Sequence, residues 1–169
     1  MFIAGSAARR VAARTSPTVD AESLSRRDPE ETPSPDQIPV VLFVCIHNAG
    51  RSQAAAALLD HHARGRVRVI SAGSEPAVAV NPAVAAVLAE RGLDISERVP
   101  ARLREEMARS ADVVVTMGCG DTCPIYPGKQ YADWAVPDPA GLSIAEVRPI
   151  VDDIDAHVRG LLETLTEQD

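Results

Sequence analysis

The apolar run Val40-Val41-Leu42-Phe43-Val44 passes directly into Cys45-Ile46-His47-Asn48-Ala49-Gly50-Arg51-Ser52, and then into Gln53-Ala54-Ala55-Ala56-Ala57-Leu58-Leu59. β-Branched and aromatic residues, a polar loop containing glycine, and an alanine-rich continuation read as strand, turn and helix start. No other part of the chain limits the fold as tightly. Such a junction aims backbone N–H groups and the positive end of a helix dipole at one point beyond the strand. Cys45 opens the loop and Arg51 closes it six positions later. The two side chains can converge there, one as a thiolate and one as a bidentate clamp for a tetrahedral oxyanion.

A solitary cysteine at the end of a buried strand is ordinarily a small core residue. Cys45 is not solitary, because the required arginine is present and a hydroxyl, Ser52, follows it. Ser52 has two compatible readings: an N-cap for the helix, or a hydrogen-bond donor to the Cys45 thiolate. Cys45 is therefore the candidate nucleophile, and Ile46, His47, Asn48, Ala49, Gly50, Arg51 and Ser52 are the candidate oxyanion-binding residues.

Composition narrows the partners. The chain has 169 residues, 46% of them apolar, which suits one domain with a tail. Its net charge of −7 and isoelectric point near 5.1 argue against general nucleic-acid binding, which needs clustered Lys and Arg. Positive potential must then be concentrated at Arg51 and the loop amides. No apolar run approaches the roughly 20 residues needed to cross a bilayer, so no membrane association is expected. Three cysteines fit a reducing cytoplasm better than a secreted disulfide framework.

Residues 1–38 lack periodicity and are rich in Ala, Arg, Ser, Pro and acidic residues; they read as a disordered extension. Met1 to Thr18 carries arginines without acids, like a transit peptide, but has no apolar core for export, and Arg9-Arg10 is a twin-arginine pair only by letter. The domain is expected over 39–169. After the first strand and a helix over Ser52 to Ala63, Val67 to Ile70 reads as a second strand closed by Ser71-Ala72-Gly73-Ser74. Asn81-Pro82 through Gly92 carries helix start and stop signals in the right order. A helical piece over Ala101 to Ser110 leads to a third strand, Ala111 to Met117, and Lys129 to Ala135 reads as a short fourth. Val136-Pro137-Asp138-Pro139-Ala140-Gly141 is loop. Ser143 and Glu146 form a capping box for a last helix whose apolar face includes Val147, Ile150, Val151, Ile154 and Val158. Pro149 near its start is expected to shift or kink the first turn. Strands alternating with helices predict an α/β parallel sheet covered on both sides, with the site at the carboxyl ends of the strands.

Gly118-Cys119-Gly120-Asp121-Thr122-Cys123-Pro124 follows the third strand on that same sheet edge. If helical, the two cysteines lie about one turn apart, roughly 6 Å between Cα atoms and near the upper end of disulfide reach. Zinc would need four ligands, and Cys45, His47, Cys119 and Cys123 lack the tight spacing of metal sites, so no metal is expected. Two inert buried thiols are a further reading, against which the Gly-rich polar neighbours argue for exposure.

The C-x5-R-S loop, the Ser71-Ala72-Gly73 turn, the Asn81-Pro82 helix and the Asp138-Pro139-Ala140-Gly141 loop together resemble the low-molecular-weight tyrosine phosphatase superfamily. Cys119, Cys123 and the stretch from Cys123-Pro124 to Asp138-Pro139-Ala140-Gly141 resemble, more narrowly, its thioredoxin-coupled arsenate reductases. The similarity spans about residues 39–166. It implies a three-layer fold with a four-stranded parallel sheet of flavodoxin-like order, arsenate as substrate, and thioredoxin as electron donor with no bound cofactor. It also implies Cys45 as nucleophile, Arg51 as clamp, Asp138 as general acid, and a relay from Cys45 to Cys119 and then Cys123. The Cys119–Cys123 spacing is shorter than in the best-known branch. Ala56 stands where the potassium-binding branch has a glutamate, so no such ion site is expected. His47 sits at a variable loop position, as a tuner of the thiolate or a solvated loop residue. Trp134 reads as packing, and Asp152, Asp153 and Asp155 as the wet face of the last helix.

The alternative enzyme is a phosphatase acting on phosphotyrosine or a small phosphate ester, for which the loop and Asp138 suffice. A non-enzymatic oxyanion or arsenite sensor would leave Arg51 and Asp138 without a task. A low-molecular-weight thiol with a glutaredoxin-like partner is the other electron donor considered, and a monomer is the expected state.

Overall fold

The computed structural model describes residues 38–118 and 125–167. Apart from Ile38, the expected N-terminal extension lies outside these residues, as do Cys119 and Cys123. Eight elements follow one another: β1 (Val40–Cys45), α1 (Arg51–Ala63), β2 (Arg68–Gly73), α2 (Pro82–Glu90), α3 (Glu105–Ser110), β3 (Val113–Thr116), β4 (Gln130–Asp133) and α4 (Ile144–Thr166). The strands form one sheet in the order β2-β1-β3-β4, with every neighbouring pair parallel. The expected three-layer, four-stranded parallel sheet is what the chain adopts.

β1 is the hub of the sheet, hydrogen-bonded on both edges, and Val41 to Val44 are fully buried. Its alternation divides the core. Val41, Phe43 and Cys45 face a cluster built with α1, α2 and α4, while Leu42 and Val44 face a smaller one with Ala108 and Ala111 around α3. Phe43 is the largest fully buried side chain and packs on Trp134 with ring centroids 5.6 Å apart. Burial of a side chain of that size stabilises by about 1.5–3 kcal/mol. Trp134, 9% exposed, is the packing residue expected of it.

The order of the strands positions the site. From β1 the chain crosses by α1 to β2 on one side, and β3 then pairs with the opposite edge of β1. This reversal opens a crevice at the carboxyl ends of β1 and β3, where ligands of parallel sheets bind. Cys45 is the last residue of β1, and Met117 follows β3, its N–H donating to Val44 O at 2.8 Å.

Two local expectations need correction. Ser71-Ala72-Gly73 does not close a strand but belongs to β2, pairing with Phe43, Val44 and Cys45. The reason is steric: a Cβ at Gly73 would fall 2.6 Å from Ile46 O and 2.8 Å from Asn48 N, so a glycine is required for the loop after β1 to lie against this strand. The piece Ala101–Ser110 is helical only from Glu105. Ahead of it Arg102 bridges to Gly73 in parallel, with Gly73 N–H donating to Ala101 O and Leu103 N–H to Gly73 O, both at 2.8 Å. Helix α4 carries Pro149 within a single run, Ile144–Thr166.

The caps follow the sequence closely. Ser143 Oγ accepts from Glu146 N–H, and Glu146 returns a carboxylate to Ser143 N–H, completing the capping box. Asn81 Oδ1 accepts from Ala83 N–H and Val84 N–H, with Pro82 at the first helical position of α2. Asp155 departs from the expected wet face of α4. It is 9% exposed and bridges to α1, its Oδ1 taking a 2.7 Å hydrogen bond from His62 Nε2 and its Oδ2 a 3.0 Å bond from Arg159 Nε. Asp152 and Asp153 are exposed, as expected.

Candidate active site

The loop between β1 and α1 wraps back over the end of its own strand. Helix α1 begins at Arg51 with Gly50 as N-cap and no side-chain cap, and Ala54 N–H donates to Gly50 O at 2.9 Å. Ser52 is therefore not the cap. Its hydroxyl is spent on the other reading, 2.8 Å from Cys45 Sγ. Asn48 N–H points at the same sulfur from 3.2 Å. Cys45 is 2% exposed and Ser52 fully buried, so these contacts act with little competition from water.

Hydrogen-bond direction in this cluster follows from one backbone group. Ala101 N–H can only donate, and the atom it meets at 2.8 Å is Asn48 Oδ1. The other end of the amide, Nδ2, then faces Ser52 Oγ at 2.7 Å and donates to it. Ser52 accepts there, which leaves its one proton for Cys45 Sγ. A thiolate sulfur only accepts, so the hydroxyl donates to Cys45 Sγ once the thiol has lost its proton. Asn48 holds this position with φ of 48°, a left-handed conformation that asparagine tolerates better than most residues.

The same oxygen of Asn48 also accepts from Gln53 Nε2 at 3.1 Å. Gln53 is 2% exposed, and its Oε1 has no partner among the described residues. An unsatisfied buried acceptor costs about 1–3 kcal/mol.

Arg51, only 7% exposed, reaches toward the loop after β4, with Nη2 3.7 Å from Asp138 Oδ2. Asp138 is half exposed, and its other oxygen accepts from Ala140 N–H at 3.0 Å. This loop sits directly on the first: a Cβ at Gly50 would lie 2.6 Å from Pro139 Cγ. Asn81 fastens the two, its N–H donating to Ala49 O at 2.7 Å and its Nδ2 to Pro139 O at 3.4 Å. The outer rim is held by Glu75 N–H on Ile46 O and Ala77 N–H on His47 O. The His47 ring is exposed and bonds Glu75 O through Nδ1 at 3.1 Å. A carbonyl only accepts, so Nδ1 carries the proton, and this ring bond engages the rim rather than Cys45.

Of the residues expected to meet, Cys45, Asn48 and Ser52 touch one another and Arg51 faces Asp138. Cys119 and Cys123 lie outside the described residues. Ala101 and Gln53 were not anticipated. Ala101 acts through its backbone and carries no side-chain signal; Gln53 could have been found as a polar residue in an otherwise apolar, alanine-rich helix start. Among the described residues no group of three or more His, Cys, Asp or Glu side chains is arranged to hold a metal.

A buried sulfur met by a backbone N–H and a hydroxyl, on a loop that ends in an arginine faced by a carboxylate, is suited to nucleophilic attack on a tetrahedral oxyanion with acid assistance. Comparison with known proteins agrees with this chemistry. In sequence, the chain is 34% identical over 135 residues to an arsenate reductase of Halalkalibacterium halodurans, covering 74% of this chain and 96% of that one. In structure, it resembles a thioredoxin-dependent arsenate reductase of Corynebacterium glutamicum (TM-score 0.71, 45% identity, 80% of this chain and 66% of that one). It also resembles the YwlE arginine phosphatase of Geobacillus stearothermophilus (TM-score 0.69, 27% identity, 77% and 94%). The profile of the family described as low molecular weight phosphotyrosine protein phosphatase matches residues 40–169, and the chain belongs to that family.

Proposed function

We propose that this protein is an arsenate reductase in which Cys45 is the nucleophile and Cys119 and Cys123 carry the electrons away. The observation that carries the reading is the Cys45 thiol held by Asn48 N–H and the Ser52 hydroxyl, in a family member 45% identical to a thioredoxin-dependent arsenate reductase. The amides of Ile46 to Ser52 and the Arg51 guanidinium receive the oxyanion. Cys45 thiolate attacks arsenic, and Asp138 gives a proton to the departing hydroxyl, which leaves as water. A Cys45–arsenate thioester-like adduct results. Cys119 thiolate then attacks Cys45 Sγ; the sulfur–arsenic bond breaks with its electron pair going to arsenic, releasing arsenite and leaving a Cys45–Cys119 disulfide. Cys123 attacks Cys119 in turn and frees Cys45. The Cys119–Cys123 disulfide takes two electrons and two protons from a dithiol, thioredoxin, in the reducing cytoplasm. Support for Cys119 in this role is that it follows Gly118, whose backbone is so close to Arg51 that a Cβ there would lie 2.5 Å from Nη1.

A second reading is favoured by the likeness to an arginine phosphatase and by the fact that Cys45, Arg51 and Asp138 suffice for phosphoester or phosphoramidate hydrolysis. The two readings separate on the extra thiols, which hydrolysis does not need. NADPH consumption is followed with thioredoxin, thioredoxin reductase and arsenate. Arsenate-dependent turnover, lost in Cys45→Ser, Cys119→Ser and Cys123→Ser, is the expected result. Hydrolysis of a phenyl phosphate without arsenate turnover would establish the phosphatase instead. Turnover surviving in Cys119→Ser would overturn the relay.

A further inference from the structure

Gln53 is buried on α1 with half of its amide satisfied. Its Nε2 donates to Asn48 Oδ1 at 3.1 Å, while its Oε1 is without a partner among the described residues. Packing alone does not account for it, since methionine or leucine would fill nearly the same space without leaving an acceptor bare. What only a donor can supply is the hydrogen bond to Asn48. We propose that Gln53 is a positioning residue for the nucleophile: it locks the Asn48 amide in the orientation that turns the Ser52 proton onto Cys45.

The chain of contacts has one direction. Gln53 Nε2–H and Ala101 N–H both donate to Asn48 Oδ1, Asn48 Nδ2–H donates to Ser52 Oγ, and Ser52 Oγ keeps its proton for a Cys45 thiolate, which can only accept. Were the Asn48 amide to turn over, its oxygen would face Ser52, draw the hydroxyl proton to itself and remove it from the sulfur. The two donors on Oδ1 oppose that turn from different sides. Ala101 belongs to the irregular stretch before α3, whereas Gln53 rides on the helix that also carries Arg51 and Ser52. Gln53 therefore couples the amide to the same rigid element as the anion clamp. Among the described residues, the loops that frame the thiol carry Arg51, Asp138 facing it, and His47 tied to Glu75 O. Gln53 hydrogen-bonds none of these, so its influence on the sulfur passes through Asn48.

The inference rests on Cys45 being the nucleophile and not on which oxyanion it attacks. Its test accordingly needs no arsenate. In a chain carrying Cys119→Ser and Cys123→Ser, Cys45 is the one thiol, and its rate of alkylation by iodoacetamide is measured against pH. Gln53→Met should move the midpoint of that profile upward by about 0.5–1 pH unit, slowing alkylation below the midpoint about three- to tenfold. Gln53→Leu should do the same and serves if the methionine variant does not fold, folding being checked by circular dichroism. Asn48→Ala should shift the profile at least as far, and Gln53→Met added to it should shift it no further. A merely structural glutamine would lower the melting temperature without moving the midpoint, and that outcome overturns the proposal. So does a full additional shift on the Asn48→Ala background. Absence of arsenate turnover in the coupled assay would sink the reductase reading while leaving this comparison intact.

Discussion

Two buried polar clusters hold α1 in place, and they are built on opposite principles. At its start, Cys45, Asn48, Ser52 and Gln53 form a chain of hydrogen bonds with one left-handed residue and one acceptor that has no partner among the described residues. Near its end, His62 joins Asp155 of α4, which Arg159 also contacts and Arg91 approaches at 3.8 Å. The second cluster gathers several partners on one carboxylate. The first turns on the orientation of one amide, and it leaves a buried acceptor bare among the described residues. The difference separates a site kept for chemistry from a clasp kept for stability.

The comparison predicts where a small intrusion does the most damage. Gly73→Ala would place a Cβ within 2.6–2.8 Å of backbone atoms of Ile46 and Asn48, which cannot swing away as a side-chain tip does. The loop must shift as a unit, carrying the Asn48 amide away from Cys45. Catalytic rate should fall about 10²-fold, since misplacement near 1 Å has that effect on an aligned nucleophile. The fold should lose about 1–3 kcal/mol, the usual cost of overpacking. Steady-state turnover and urea melts of the variant check both. A variant that melts early but turns over normally would show the loop to be less exacting than the clasp.

What the sequence disclosed and what it hid divide along the same line. The Cys45-to-Ser52 loop, the parallel sheet and the caps at Asn81 and Ser143 were legible because each is written in neighbouring residues: an apolar run, a C-x5-R-S spacing, an Asx or Ser before a helix. Gly73 was misread as a turn because glycine signals both turns and close approach, and only the loop lying across it decides between them. Ala101 was invisible, its contribution being a backbone N–H in a stretch that reads as helix. Asp155 was assigned to the wet face of α4 because its partner His62 stands 93 positions away. Charge at helical spacing is ordinarily solvated, and only the packing of α1 on α4 makes this one an exception.

The clasp should fail by energy rather than by mechanism. Burial pushes the Asp155 carboxyl up, but the hydrogen bond from His62 and the charges of Arg159 and His62 together outweigh it, and its pKa is held below the ordinary value of 3.8. A carboxylate whose pKa is lower folded than unfolded contributes stability that is complete above the unfolded value and is lost as pH falls through the folded one. Asp155→Asn should therefore cost about 1–3 kcal/mol at neutral pH. That deficit should shrink as pH falls below about 3.8, which urea melts between pH 7 and 2 would resolve. Alkylation of Cys45 should be unaffected at neutral pH. A change there would mean that the two ends of α1 are coupled, and the contrast between clusters would not stand.

The smallest effects give the sharpest contrast, because two helix caps of similar strength differ only in what else they touch. Among the described residues Ser143 caps α4 and makes no other side-chain bond than to Glu146, whereas Asn81 caps α2 and also ties Ala49 O to Pro139 O. Replacing either by alanine should cost about 1 kcal/mol of stability. Ser143→Ala should leave turnover unchanged, because nothing in its cap reaches the loops that carry Arg51 and Asp138. Asn81→Ala keeps the backbone bond to Ala49 but releases Pro139, loosening the loop that aims Asp138 at Arg51, and should slow turnover about two- to fivefold, the effect of one lost hydrogen bond of about 0.5–1 kcal/mol. With Asp138 as the proposed acid on the departing hydroxyl, the loss should appear in kcat more than in KM. Equal turnover in the two variants would mean that contact with Gly50 alone places Asp138, and that Asn81 is a cap and nothing more.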